Sequence, residues 1–225
     1  NDKGLEYRVA DITKDMFNDA STCYFHKSIG GYSGAKLRRY QELVEEHIAT
    51  EVPKIYSLLQ SAPLDSAATH SALGMPVYDL RAAGAEEQLP VLNMLNARWF
   101  ILAGQGGARI PIENNSALGN AWFVDNVKYV GNANEEIEAL HTVSPRHTAV
   151  INRTFASSLD GKPLDAATSD STATIRQTHL DADEVSYEVE SLNGGLVVFS
   201  EIYYPGWCAT IDGTESPIEI GRAHV

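Results

Sequence analysis

The stretch Leu89-Pro90-Val91-Leu92-Asn93-Met94-Leu95-Asn96-Ala97-Arg98-Trp99-Phe100-Ile101-Leu102 decides the fold class. Leu89 to Asn96 reads as a helix with Pro90 in its first turn, where the missing N–H costs nothing. Arg98 to Leu102 follows at once and reads as a buried strand. Helix and strand therefore share one region, which predicts mixed α and β structure rather than segregated layers.

Upstream, Leu5 to Ile12 alternates as a short strand, with Leu5, Tyr7 and Val9 on one side and Glu6 and Arg8 on the other. A polar, glycine-rich stretch, Asn18 to Gly34, reads as a loop. From about Ala35 a helix is expected, because Leu37, Tyr40, Val44 and Ile48 fall at helical spacing. Pro53 should kink or break it. Residues 61–88 are rich in Ala, Ser, Gly and Pro and read as irregular.

Downstream, Ala121 to Val130 alternates as one strand. Asn134 is positioned to cap a short helix, Glu135 to Leu140, and Thr148 to Arg153 reads as a strand. Residues 157–173 are Ser-, Asp- and Ala-rich. From Ala173 the pattern is antiparallel strands. Val185, Tyr187 and Val189 alternate with polar residues, and Asn193-Gly194 signals a hairpin turn into Leu196 to Tyr203. Asp212-Gly213 signals a second hairpin, between Trp207–Ile211 and Pro217–Ile220. The expected fold is α+β. An N-terminal α/β region with a mixed sheet and flanking helices covers 1–150. A small antiparallel β-sandwich-like region covers 151–225.

The chain has 225 residues and a formal net charge of −13. Cut at Pro145, it carries 12 basic and 18 acidic residues before the cut and 5 and 12 after it, so both halves are acidic, at −6 and −7. Phosphate backbones and anionic headgroups need clustered Lys and Arg. Lys36, Arg38 and Arg39 form the densest basic run, so neither nucleic acid nor direct membrane insertion is expected. No apolar run approaches the ~20 residues a membrane helix needs. The missing initiator Met, and an ending inside an apolar pattern at Ile218 to Val225, read as a piece cut from something longer.

Motifs that would carry chemistry are missing or broken. Gly31-Tyr32-Ser33-Gly34-Ala35 has Ala where a nucleophile elbow needs its second Gly, so Ser33 reads as a helix-capping residue. Ala35-Lys36 breaks a phosphate loop. Gly104-Gln105-Gly106-Gly107 reads as turn glycines. His141 and His147 do not have zinc spacing. Glu45-Glu46, Glu86-Glu87 and Glu135-Glu136 read as solvated helix surface. Asn114-Asn115-Ser116 and Asn152-Arg153-Thr154 fit the glycosylation sequon. No catalytic residue, metal ligand or cofactor site is assigned. Cys23 and Cys208 fit either a disulfide in an oxidising compartment or two unpaired, part-buried thiols.

Two segments remain as ligand-binding candidates. Asn18, Asp19, His26, Lys27 and Tyr32 crowd one polar segment together with Tyr24. They fit a sugar-binding cleft, with amides and carboxylates for hydroxyls and aromatics for stacking. They fit equally a loop tied down by its own hydrogen bonds. Tyr204 and Trp207, in Tyr203-Tyr204-Pro205-Gly206-Trp207, fit either sugar stacking or core packing.

Several strings in this order resemble the C-terminal soluble portion of YfhO-type bacterial membrane proteins. They are Tyr24-Phe25-His26-Lys27-Ser28-Ile29-Gly30-Gly31-Tyr32, Ala35-Lys36-Leu37-Arg38-Arg39-Tyr40, Leu92 to Ile101, and Ser200-Glu201-Ile202-Tyr203-Tyr204-Pro205-Gly206-Trp207 with Ile211-Asp212-Gly213. The resemblance implies a multi-pass parent, similar to integral-membrane glycosyltransferases that use lipid-linked sugars. It implies a catalytic acidic residue in an early extracytoplasmic loop between N-terminal membrane helices, outside this chain, so no catalytic residue carries over. It places the chain on the extracytoplasmic (periplasmic) face of the inner membrane, as an accessory domain. The partners it implies are the membrane-embedded part of the same chain and a glycan or envelope polymer. A carbohydrate- or protein-binding module without an enzymatic parent is the other reading.

Overall fold

The structure, a computed structural model, describes residues 7–64, 77–155, 159, 170–181, 183–192, 194–203 and 205–218. The fold is α+β, as expected. The chain divides into two compact units, Asn1–Gly119 and Asn120–Val225. The division thus falls at Gly119, ahead of the expected 150. Strands on either side of residue 150 pair with one another, and that holds residues 120–150 in the second unit.

In the first unit, β1 (Arg8–Asp11) leads through a polar loop to α1 (Arg38–Leu43). A π turn, Val44–Ile48, joins α1 to α2 (Ala49–Ser61), and α2 contains Pro53 without a break. The helix is thus not broken at Pro53. The helix instead widens one turn earlier, and Thr50 Oγ1 donates to the His47 carbonyl at 2.8 Å, which occupies a carbonyl near the irregular turn. Two short helices follow, α3 (Ala85–Gln88) and α4 (Pro90–Met94), then β2 (Ala97–Ala103) and β3 (Arg109–Glu113). β2 is central, parallel to β1 and antiparallel to β3. The glycine turn between β2 and β3 has left-handed Gly106 and Gly107, at φ 66° and 81°.

β1 departs from the expected alternation, since all four of its residues are buried. Arg8 is covered because its guanidinium donates to the Leu95 carbonyl at 3.0 Å. The core gathers Ile48, Ile55, Leu58, Leu80, Leu89, Val91, Leu92 and Phe100, each at most 1% exposed. Burial of such side chains is worth about 1.5–3 kcal/mol each.

The helix-to-strand joint read from sequence holds, and polar groups build it. Asn96 adopts φ 55°, a left-handed conformation that Asn tolerates better than most residues. Its carbonyl accepts the N–H of Arg8 at 2.9 Å and of Arg98 at 2.8 Å. Asn114, fully buried, donates to Asn93 Oδ1 at 2.8 Å and to the Ala97 carbonyl at 3.1 Å, and its Oδ1 accepts from the Ser116 N–H at 3.1 Å. The first sequon is therefore a core hub and offers no exposed amide.

In the second unit, the expected single strand from Ala121 to Val130 is two. β4 (Ala121–Val124) and β5 (Asn126–Val130) separate at Asp125, where Asp125 and Asn126 both donate to the His147 carbonyl. α5 (Ala133–Ala139) is capped by Asn132, two residues before the expected Asn134. Asn132 Oδ1 accepts from the N–H groups of Asn134 and Glu135 at 3.0 Å each. β6 (Thr148–Asn152) is parallel to β5. Glu136, expected on the surface, is fully buried within reach of Asn152, at 3.4 Å.

β7 (Thr174–Leu180) pairs antiparallel with β8 (Val185–Glu190), and β9 (Leu196–Phe199) pairs antiparallel with β4. The Asn193-Gly194 signal therefore does not make a hairpin, since the strands flanking it take other partners. Gly194 and Gly195 have φ of 77° and 156°, and Tyr187 meets Phe199 edge-on at 4.9 Å. Asn193 itself lies outside the described residues. Asp212-Gly213 does form the tight hairpin expected, between β10 (Ala209–Ile211) and β11 (Thr214–Ser216), with φ of 50° and 77°. The return strand starts directly after the turn rather than at Pro217. Residues 156–158 and 160–169 of the Ser- and Asp-rich segment lie outside the described residues.

Asn114→Ala removes both donors to the joint and leaves Asn93 Oδ1 and the Ser116 N–H without this partner. The variant is expected to lose about 2–4 kcal/mol, read as a lower urea midpoint with an unchanged m-value.

Candidate functional site

The polar loop after β1 is fastened at the strand's end. Asp11 is 2% exposed and receives hydrogen bonds on both oxygens. Thr13 donates through N–H at 3.1 Å and Oγ1 at 2.6 Å, and Thr22 Oγ1 donates at 3.0 Å. Arg109, at the start of β3, approaches to 3.5 Å, and Lys14 to 3.8 Å. Burial by itself would raise the Asp11 carboxyl, but the Thr13 and Thr22 hydrogen bonds and the Arg109 charge hold it below its ordinary value.

Lys14 links this anchor to the next carboxylate. Its ammonium lies 3.3 Å from Asp19 Oδ1 and also hydrogen-bonds Ser21. Asp19 accepts from both the hydroxyl and the N–H of Ser21, and these bonds keep it ionised. Asn18 donates to Asp15 at 2.7 Å, which lowers Asp15 in the same way. Lys36 returns from the far end of the loop to the Phe17 carbonyl at 2.7 Å, with its charge 5.7 Å from the Phe17 ring centroid.

A close backbone approach holds the second half of the loop. A Cβ on Gly30 would fall on the Met16 carbonyl oxygen, so no larger residue fits there. Gly31 donates to the same carbonyl at 2.8 Å. Cys23 Sγ lies 3.5 Å from the Gly30 carbonyl oxygen. The 3₁₀ turn Ser21–Tyr24 is thereby set against Gly30 and Gly31. Val9 donates to the Lys27 carbonyl at 2.8 Å, and Ile29 donates back to Val9 at 3.1 Å. The loop thus runs alongside β1 as an irregular extra strand.

The sequence-selected residues separate into distinct roles. Asn18 and Asp19 are committed to hydrogen bonds within the loop. Lys27 fixes the loop to β1 through its backbone. His26 is half-buried, its backbone N–H donates to the Thr22 carbonyl at 3.0 Å, and its buried Nδ1 has no hydrogen-bond partner among the described residues. Tyr32 projects outward at 68% exposure. Tyr24 at 76% and Phe25 at 58% project from the neighbouring turn. Phe25 escaped the sequence reading, although its place beside Tyr24 was a usable signal. Arg109 had no such signal, because topology alone brings it to Asp11.

Trp207 belongs to the second unit and is half-buried beside Gly206, whose φ is 107°. Tyr204 lies outside the described residues. Cys23 and Cys208 are both exposed and unbridged, which corrects the part-buried expectation. Ser33 does not cap a helix. Its hydroxyl accepts from the Ala35 N–H at 3.3 Å, ahead of α1. Among the described residues, no group of His, Cys, Asp and Glu is arranged to hold a metal ion. His147 Nδ1 lies 3.6 Å from Asp125 in the second unit, where both residues border the start of β5.

Compared with known proteins, the chain matches no family model, no curated protein and no solved structure. Function is therefore read from these residues.

Asp11 ties acid stability to the loop. Because its folded pKa is lowered, its contribution is present above the ordinary 3.8 and is lost as pH falls through the folded value. The thermal midpoint of the native chain should therefore drop steeply below pH 3.8. Asp11→Asn should start lower at neutral pH and drop less steeply in acid, as followed by circular dichroism.

Proposed function

We propose that the chain is a non-catalytic extracytoplasmic accessory domain of a YfhO-type, glycosyltransferase-like membrane protein of envelope polymer glycosylation. In this reading its braced loop contributes recognition rather than bond-making. One observation carries it. Asp11, Asp15 and Asp19 are held ionised by donors from their own loop, while Tyr24, Phe25 and Tyr32 present their rings outward. Carboxylates kept below their ordinary pKa are poor proton donors at neutral pH. Exposed aromatic rings on a fixed backbone offer flat apolar faces at small entropic cost. Sugar rings fit such faces, and the acidic surface of the chain disfavours polyanions.

Among the described residues, no helix is long and apolar enough to cross a membrane. Membrane anchorage in this reading belongs to other segments of the parent.

The test has two arms. Hydropathy of the full reading frame should show many membrane helices. Saturation-transfer NMR against neutral envelope glycans should show contact with aromatic protons, and Tyr24→Ala with Tyr32→Ala should weaken it by about tenfold, the equivalent of ~1.4 kcal/mol. Glycan binding without upstream membrane helices favours a free-standing binding module. Membrane helices without glycan binding leave a domain that serves its parent by folding against it. Failure of both arms overturns the proposal.

A further inference from the structure

Glu51 is placed where its protonation state must matter to the fold. It lies in the first turn of α2, is 2% exposed, and reaches across to the start of α4. Oε1 accepts from the Val91 N–H at 3.0 Å and Oε2 from the Leu92 N–H at 2.9 Å. These amides are among those a helix leaves unpaired at its start. Ile48, Ile55 and Leu58 on the same helical run and Val91 and Leu92 on α4 are each at most 1% exposed.

Few charges surround it. On α2 itself Lys54 is exposed, and its ammonium reaches the Gln88 carbonyl at 3.4 Å. The π turn carries His47, 3% exposed and one helical turn before Glu51, and Glu45 and Glu46, both exposed. α3 carries Glu86 and Glu87, and α4 carries no titratable group.

We propose that Glu51 makes the α2–α4 joint a proton-sensitive clamp. Ionised, the carboxylate accepts both amides but leaves a charge in an apolar site. Protonated, one oxygen becomes a hydroxyl, the charge disappears, and that oxygen accepts its amide more weakly. The two states therefore differ in how the start of α4 is held, and α4 leads directly into the central strand. Burial pushes the carboxyl up to about 7, against the lowering effects of the Leu92 and Val91 hydrogen bonds and of Lys54. The exchange thus falls near neutral pH.

The sign follows from linkage. A raised folded pKa means that the folded state keeps a proton which the unfolded state releases. Stability from this group is full below the ordinary value of 4.5 and is lost as pH rises through about 7. Over that window the folding equilibrium constant should fall by about two powers of ten.

The experiment follows the amide resonances of Val91 and Leu92, and the Glu51 side-chain carboxyl carbon, from pH 5 to 9. Expected is one shared inflection near neutrality, together with a urea midpoint that declines from pH 5 to about 7 and levels off above it. Glu51→Gln should abolish the inflection and flatten the decline. An inflection that persists in Glu51→Gln belongs to another group and overturns the proposal. So does a Glu51 carbon that titrates near 4.5 in the native chain, a measurement that stands even if the variant does not fold.

Discussion

A helix must become the central strand of the first unit within two residues, inside the core. α4 ends at Met94 and β2 begins at Ala97. The carbonyls of Leu95, Asn96 and Ala97 therefore emerge where water does not reach. Buried carbonyls without donors cost about 1–3 kcal/mol each. Each receives one here: Leu95 from the Arg8 guanidinium, Asn96 from the backbone of Arg8 and Arg98, and Ala97 from Asn114. Two of those donor residues flank β2 in the sheet, Arg8 on β1 and Asn114 just after β3. The requirement that satisfies the joint therefore also fixes which strands lie beside β2. With Glu51 at the opposite end of α4, every turn of that short helix is held by a polar group from a distant part of the chain.

This explains what was legible in the sequence. The helix-to-strand passage at Leu89 to Leu102 could be read because periodicity changes along it and Pro90 marks its start. The hairpin at Asp212-Gly213 could be read because two adjacent left-handed residues leave a chain few alternatives. Asn193-Gly194 offered the same local signal and misled. A turn dipeptide specifies a reversal of the chain, but not whether the returning strand lies beside its predecessor or across from it. Here β9 pairs with β4 instead of β8, while Tyr187 and Phe199 still meet through their rings, and that long-range choice was invisible in the sequence.

Buried polar residues were the other blind spot. Glu136 and Asn114 sit in polar stretches of the sequence, Glu136 reads there as helix surface, and nothing local marks Glu51, between Thr50 and Val52, as a buried acceptor. Hydrophobic patterning assigns such residues to solvent by default. Their burial follows from orphaned backbone groups at helix ends and strand joints, positions that become apparent only when the topology is known. Pro53 is the converse case. A break was possible at the proline, yet the helix runs through it, and the irregularity among these residues is the π turn one turn earlier.

The loop from Thr13 to Lys36 shows why polar density alone does not mark a site. Its acidic and amide groups attracted notice as ligand contacts, but most of them bond to the loop itself and to β1. That arrangement has its own consequence. A loop held by Asp11, Lys14, Asp19 and Lys36 and seated against Met16 by Gly30 has little freedom left to lose, so whatever meets its outer face meets a surface already formed. The groups left to meet it are the rings of Tyr24, Phe25 and Tyr32. Any recognition here would rest on shape and stacking set by an interior electrostatic frame, with the charges serving as structure and the aromatics as contact.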